Sequence, residues 1–322
     1  MSRFPLVLVV LLAGACAGSP DAPTPVPPTP APSLVGASSP TATTSLAPPT
    51  PASLAPATPT SYPTATATAL PTSSPGAAVP KAVIIAAPTH ELTGGNLALA
   101  EEMAEKAEAA GMDVRRVFFP HATWEAVLAE VQGASLVAYF GHGYGWPSNT
   151  SELWEAQQDG MGLNSYDGSS VGEVKYYGAN HIRESMRLAP HAVVFVMRGC
   201  YTAGNGLNSA PIPTLDIARQ RVDNFASGWL AAGAGAVFAF AFGTRFDYPD
   251  ALANTDSTID ELFITAHDHI GWNDLYFDSV RTHGARNHLD PDPNRGYLRA
   301  VSGDLAMTTA LWRSGAGQIV AF

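Results

Sequence analysis

Between residues 19 and 80 lie 17 of the chain's 27 prolines, in a stretch whose single charged side chain is Asp21. Proline fixes its own φ and cannot donate a backbone hydrogen bond, so neither a helix nor a central strand runs through such a segment. The rest is mostly Thr, Ser and Ala, with too little apolar bulk to offset the cost of ordering. Residues 19–80 therefore read as an extended, partly polyproline-like stalk. Any folded core belongs to residues 81–322, enough chain for one sizeable domain. Apart from Arg3 and Asp21, every charge lies in that part, 16 basic against 27 acidic side chains. A net charge of −11 with no basic stripe repels a nucleic-acid backbone, which excludes nucleic acid as the expected partner.

Residues 1–18, MSRFPLVLVVLLAGACAG, place Arg3 ahead of a short apolar run and then small residues. That is the order of a secretory signal, and the run is short for a membrane span. Cys16, after "LAGA", resembles the cysteine of a bacterial lipobox, with Ala13 where such motifs usually carry Leu. The resemblance implies cleavage before Cys16 and lipid attachment at its thiol and new amino group. The expected location is the extracellular face of a cell membrane, touched only through that anchor, with plain secretion as the alternative. Cys200 would then be the remaining thiol, with no disulfide partner in the chain.

Within 81–322, short apolar runs alternate with amphipathic segments. KAVIIAAP (81–88), MDVRRVFFP (112–120), SLVAYFGHG (135–143), HAVVFVM (191–197) and AVFAFAFG (236–243) read as strands. NLALAEEMAEKAEAAG (96–111), TWEAVLAEVQG (123–133), NHIRESMRL (180–188) and VDNFASGWLAAGA (222–234) read as helices. STIDELFITAHD (257–268) looks helical, GQIVAF (317–322) suits a last strand, and 144–179 reads as a long irregular loop. This alternation predicts an α/β fold, a mostly parallel sheet with helices on both faces. In such sheets the site lies beyond the carboxyl ends of the strands.

His142 and Cys200 both follow a predicted strand by a few residues, and the two strands are consecutive in the parallel set. The topology thus draws an imidazole and a thiol to one edge. A thiol attacks a carbonyl as thiolate, and a neighbouring imidazole takes its proton and later returns it to the leaving amine. Gly143 follows the histidine and Gly199 precedes the cysteine, which lets backbone approach a substrate and frees N–H groups for an oxyanion.

LVAYFGHG and VVFVMRGC resemble the two signature blocks of caspase-like (clan CD) cysteine peptidases. CYTAGNG is similar to the Cys-x-Thr-Gly turn of their CHAT branch, and AVSGDLAM (300–307) resembles a segment of gingipain-type members, with Leu305 in place of Pro. The resemblance implies a caspase-like three-layer sandwich and a cell-surface-anchored endopeptidase acting on a peptide or protein. It implies Cys200 as nucleophile, His142 as general acid and base, and an oxyanion hole from the N–H groups of Gly143 and Cys200. Arg198 stands where many caspases carry Gln. If the segment is extended, residues two apart share a face, and Arg198 would favour an acidic residue beside the scissile bond; Arg245 is the weaker candidate for that role. The same fold without turnover, a binding or scaffold module, is the alternative of a different class. An α/β-hydrolase ranks low, because Arg198 and Thr202 stand where a nucleophile elbow needs glycines.

No cofactor or metal is expected. HDH (267–269) offers ligand types, but residues i and i+2 do not share a helix face, so it reads as surface. DPDPN (290–294) lacks an EF-hand pattern, leaves Ca²⁺ without a motif, and reads as a proline-shaped loop.

Overall fold

A short run with no polar side chain, Ala82–Ala86, suits a strand buried on both faces, where neighbouring strands satisfy its backbone. The computed structural model, which describes residues 78–148, 152–207, 210–241 and 247–318, places it there. Cys16 with the signal segment, nearly all of the stalk, Arg245 and most of the expected last strand lie outside those residues.

The strands are β1 Lys81–Ala86, β2 Asp113–Phe118, β3 Leu136–Phe140, β4 Met161–Asn164, β5 Val174–Tyr177, β6 Ala192–Met197, β7 Ala234–Phe240, β8 Leu275–Asp278, β9 Arg286–Asp292 and β10 Gly296–Gly303. The helices are α1 Thr93–Ala109, α2 Trp124–Val131, α3 Ala179–Ser185, α4 Leu215–Ala231, α5 Tyr248–Asn254, α6 Ile259–Thr265 and α7 Thr309–Ser314. Among the described residues, eight strands form one sheet in the order β2-β1-β3-β6-β7-β10-β9-β8. The pairs from β2 to β7 are parallel, and β10, β9 and β8 continue the sheet antiparallel. The fold is thus α/β with a mostly parallel sheet, as the alternation predicts.

Alternate residues of β1 feed two separate apolar clusters. Ala82, Ile84 and Ala86 pack with side chains of α1, α5, α6 and α7, including Met103, Leu252, Phe263 and Trp312. Val83 and Ile85 pack with α2, α3 and α4, including Val127, Ile182 and Trp229. Each Val, Ile or Phe buried this way contributes roughly 1.5–3 kcal/mol of transfer free energy. Threonines start several helices: Thr123, Thr214 and Thr308 each accept a backbone N–H three residues on, and Thr258 forms a full capping box with Glu261.

Three expectations change. Residues 144–179 contain the antiparallel hairpin β4–β5, with Met161 opposite Tyr177. The helix expected to start at Val222 begins at Leu215, because its first two turns are polar and partly exposed. DPDPN is not simply a loop, since Asp290 to Asp292 end β9.

Candidate active site

β3 and β6 are hydrogen-bonded neighbours in parallel, with Phe140 opposite Met197. They leave the sheet side by side, so His142 and Cys200 emerge at the same carboxyl edge. The chains then press together: a Cβ on Gly143 would lie 2.0 Å from the Cys200 carbonyl oxygen and 2.7 Å from its nitrogen. Only glycine permits that approach. The Gly143 N–H donates to no other backbone group among the described residues, which leaves it for an incoming oxygen.

The backbone bends sharply around the cysteine. Arg198 and Tyr201 are both left-handed, at φ 62° and 68°, a region that non-glycine residues enter at a cost of about 1–3 kcal/mol and that clusters at functional sites. The turn is held by Thr202 Oγ1 donating to Gly199 O at 2.8 Å and by Tyr201 N donating to Asn205 O at 2.9 Å. Arg221 of α4 ties it to the segment after His142, donating to Pro147 O at 2.6 Å and Gly204 O at 2.9 Å.

Cys200 is buried to 6 % exposure yet lines a cleft of about 340 Å³, together with Asn205, Leu207, Ile212, Arg295 and Leu298. Its sulfur is disulfide-bonded, which corrects the expectation of a thiol without a disulfide partner. Thiolate chemistry at this position therefore belongs to the reduced protein.

His142 is fixed from below. The buried Tyr139 hydroxyl donates to the His142 carbonyl oxygen at 2.9 Å and accepts from Gly162 N of β4, also at 2.9 Å. The imidazole lies 5.3 Å from that of His90, and its Nε2 is buried with no hydrogen bond among the described residues. Burial, then the neighbouring His90, pushes its pKa down to about 4, with Glu91 opposing. The ring is neutral near pH 7, as a general base must be. If His142 is that base, the acid limb of kcat/KM falls nearer pH 4 than the ordinary histidine value of about 6.5. A pH–rate profile checks this, and a limb at the ordinary value would show that a different group titrates.

Arg198 does not behave as an extended segment would require. Its left-handed φ breaks the alternation, and its guanidinium Nη1 lies 3.9 Å from the Cβ position of Gly95, near the start of α1. It shares no face with Cys200 on the argument from extended backbone. It forms no ion pair among the described residues, and burial lowers its pKa. The cation that does line the Cys200 cleft is Arg295, at the β9–β10 turn. Of the aromatic residues after His142, Tyr177 stacks on Trp124 at 4.6 Å as packing, whereas Tyr176 stands 6.5 Å from His142.

Sequence reasoning missed Tyr139 and Asp159. Tyr139 is hidden inside an apolar strand run, and Asp159 before Gly160 reads as an ordinary turn. Asp159 is almost wholly buried, left-handed at φ 61°, and accepts from Trp146 N at 3.1 Å. Burial pushes its pKa up to about 7, against the opposing bond from Trp146. The folded state then holds a proton that the unfolded chain releases near 3.8, so this group's stabilising contribution is full below that pH and is lost as pH rises through about 7. Asp159→Asn should remove that loss and be more stable than the parent at pH 8 by a few kcal/mol. Denaturant unfolding of both proteins at pH 4, 6 and 8 checks it; parallel pH trends would mean that Asp159 is ionised in the fold.

Compared with protein-family models and with curated proteins, the sequence matches none.

Proposed function

We propose that the chain is a cysteine endopeptidase of caspase-like type, carried on a stalk at the cell surface, with a lipid anchor at Cys16 in the form whose two cysteines are not paired. The observation that carries the reading is the contact of the Gly143 and Cys200 backbones beyond two adjacent parallel strands. In the reduced protein, His142 Nε2 takes the Cys200 proton and Sγ attacks the carbonyl carbon of a peptide bond. The oxyanion is received by the Gly143 N–H, joined by that of Cys200. His142 then gives its proton to the leaving amine, and water hydrolyses the thioester to regenerate the thiol. The substrate chain lies along the cleft that Cys200 lines, beside Asn205 and Arg295.

The disulfide at Cys200 favours a second reading, a caspase-like module that binds without turnover. Hydrolysis of a mixed fluorogenic peptide library, with and without reductant, separates the two. Cleavage that requires reductant supports the peptidase. No cleavage by fully reduced protein supports the binding module.

A further inference from the structure

The residues HDH and HLDPD, far apart in the chain, meet at the antiparallel end of the sheet. His269 lies in the connection from α6, Asp274 immediately precedes β8, and His288 and Asp290 alternate on β9, so both face the same side. Only His267 of the first motif behaves as surface; the His269 side chain is mostly buried. Single donor atoms of His269, Asp274 and Asp290 all fall within 4.8 Å of one another. His269 Nε2 is 3.1 Å from Asp274 Oδ1 and 4.0 Å from Asp290 Oδ1.

His288 adds an independent sign of a missing ligand. Its side chain is fully buried, its Nδ1 is 2.7 Å from Asp260 Oδ1, and its Nε2 has no hydrogen bond although it faces Asp274 Oδ1 at 3.3 Å. A carboxylate on Nδ1 fixes the proton there, which leaves Nε2 as a lone pair pointed at a carboxylate oxygen. Two lone pairs at that distance repel unless a cation stands between them. The carboxylate–histidine pair is also the usual outer support of a metal-bound imidazole.

Spacing and charge agree. Donors at 2.0–2.2 Å from a tetrahedral metal are separated by roughly 3.3 Å, close to the two distances from Asp274 Oδ1. Asp290 is held by backbone N–H groups of Ile270 and Gly271 and by Arg299, which also pairs with Asp268. Against the carboxylates of Asp260, Asp268, Asp274 and Asp290, Arg299 is the only arginine or lysine paired into the cluster among the described residues.

We infer that His269, Asp274, His288 and Asp290 bind one divalent transition-metal ion of the Zn²⁺ class, with Asp260 orienting His288. Imidazole donors disfavour Ca²⁺ and Mg²⁺, which take oxygen. The ion clips the 269–274 connection onto β9 and needs no part of the Cys200 chemistry.

The test uses the full chain carrying Cys16→Ala and Cys200→Ala, so that no thiol binds metal. After chelator treatment and dialysis it is titrated with Zn²⁺ alone by calorimetry, and with Co²⁺ by visible absorption. One equivalent of Zn²⁺, intense tetrahedral Co²⁺ bands and a melting temperature raised by roughly 5–10 °C at a hundredfold excess over Kd are expected. Asp274→Asn should weaken binding at least tenfold, and Asp260→Asn by roughly 10–100-fold. Absence of stoichiometric Zn²⁺ binding, or equal binding by Asp274→Asn, overturns the site. The cluster would then be held by a proton, with His288 an imidazolium between Asp260 and Asp274. Two N–H signals from His288 in the metal-free protein, persisting when Zn²⁺ is added, would show that directly.

Discussion

Reduced protein carrying Cys200→Ala should lose peptide hydrolysis by roughly four orders of magnitude or more, and His142→Ala should lose nearly as much. The double variant should be hardly worse than either single one. Groups that act in one proton-transfer and attack sequence are grossly non-additive, because removing the nucleophile leaves the base nothing to activate. Two groups that merely sit at the same edge would give additive losses. The four rate constants, measured under reductant on one peptide, decide between these outcomes. Circular dichroism of each variant confirms the fold, which neither truncation should break, since Cys200 is small and His142 Nε2 supports no hydrogen bond among the described residues.

A second large effect is expected from adding one methyl group. Gly143→Ala places a Cβ at 2.0 Å from the Cys200 carbonyl oxygen and within 3 Å of its nitrogen and carbonyl carbon. These are backbone atoms at the end of a buried strand, so no side chain can swing aside. One of the two chains must move, and the Gly143 N–H moves with it. Overpacking of this kind costs about 1–3 kcal/mol of stability. Loss of an oxyanion donor costs roughly 10²–10³ in kcat. The expected signature is a lowered kcat with KM little changed and the thiol still titratable. Unchanged kcat in a folded Gly143→Ala protein would remove Gly143 from the site.

Much of the fold was legible because the parallel strands are buried on both faces. β1, β3, β6 and β7 read as apolar runs, and the carboxyl ends of β3 and β6 lead into the glycines that flank His142 and Cys200. β9 and β10 were not legible for the opposite reason. Their buried positions include the polar Asn287, His288, Asp290 and Arg299, which pair with Asp223, Asp260 and each other rather than with an apolar layer, so no apolar period marks them. The face-sharing argument for Arg198 does not carry over, because side-chain alternation holds only while φ stays negative and extended. Tyr139 reads as core, and its hydroxyl gains a role only once β4 brings Gly162 beside it. The i and i+2 argument does not reach His269, which lies beyond the end of α6, where helical spacing no longer applies.

The central claim is that reduced Cys200 is a nucleophile activated by His142. Its most direct measurement is intact-mass analysis of the reduced protein after reaction with a peptide-based, thiol-directed acylating probe. A single adduct on Cys200, formed rapidly in the parent and slowed at least a hundredfold in His142→Ala, is the predicted result. Labelling of Cys200 at the same rate in the parent and in His142→Ala, or no labelling of the reduced parent, would contradict it.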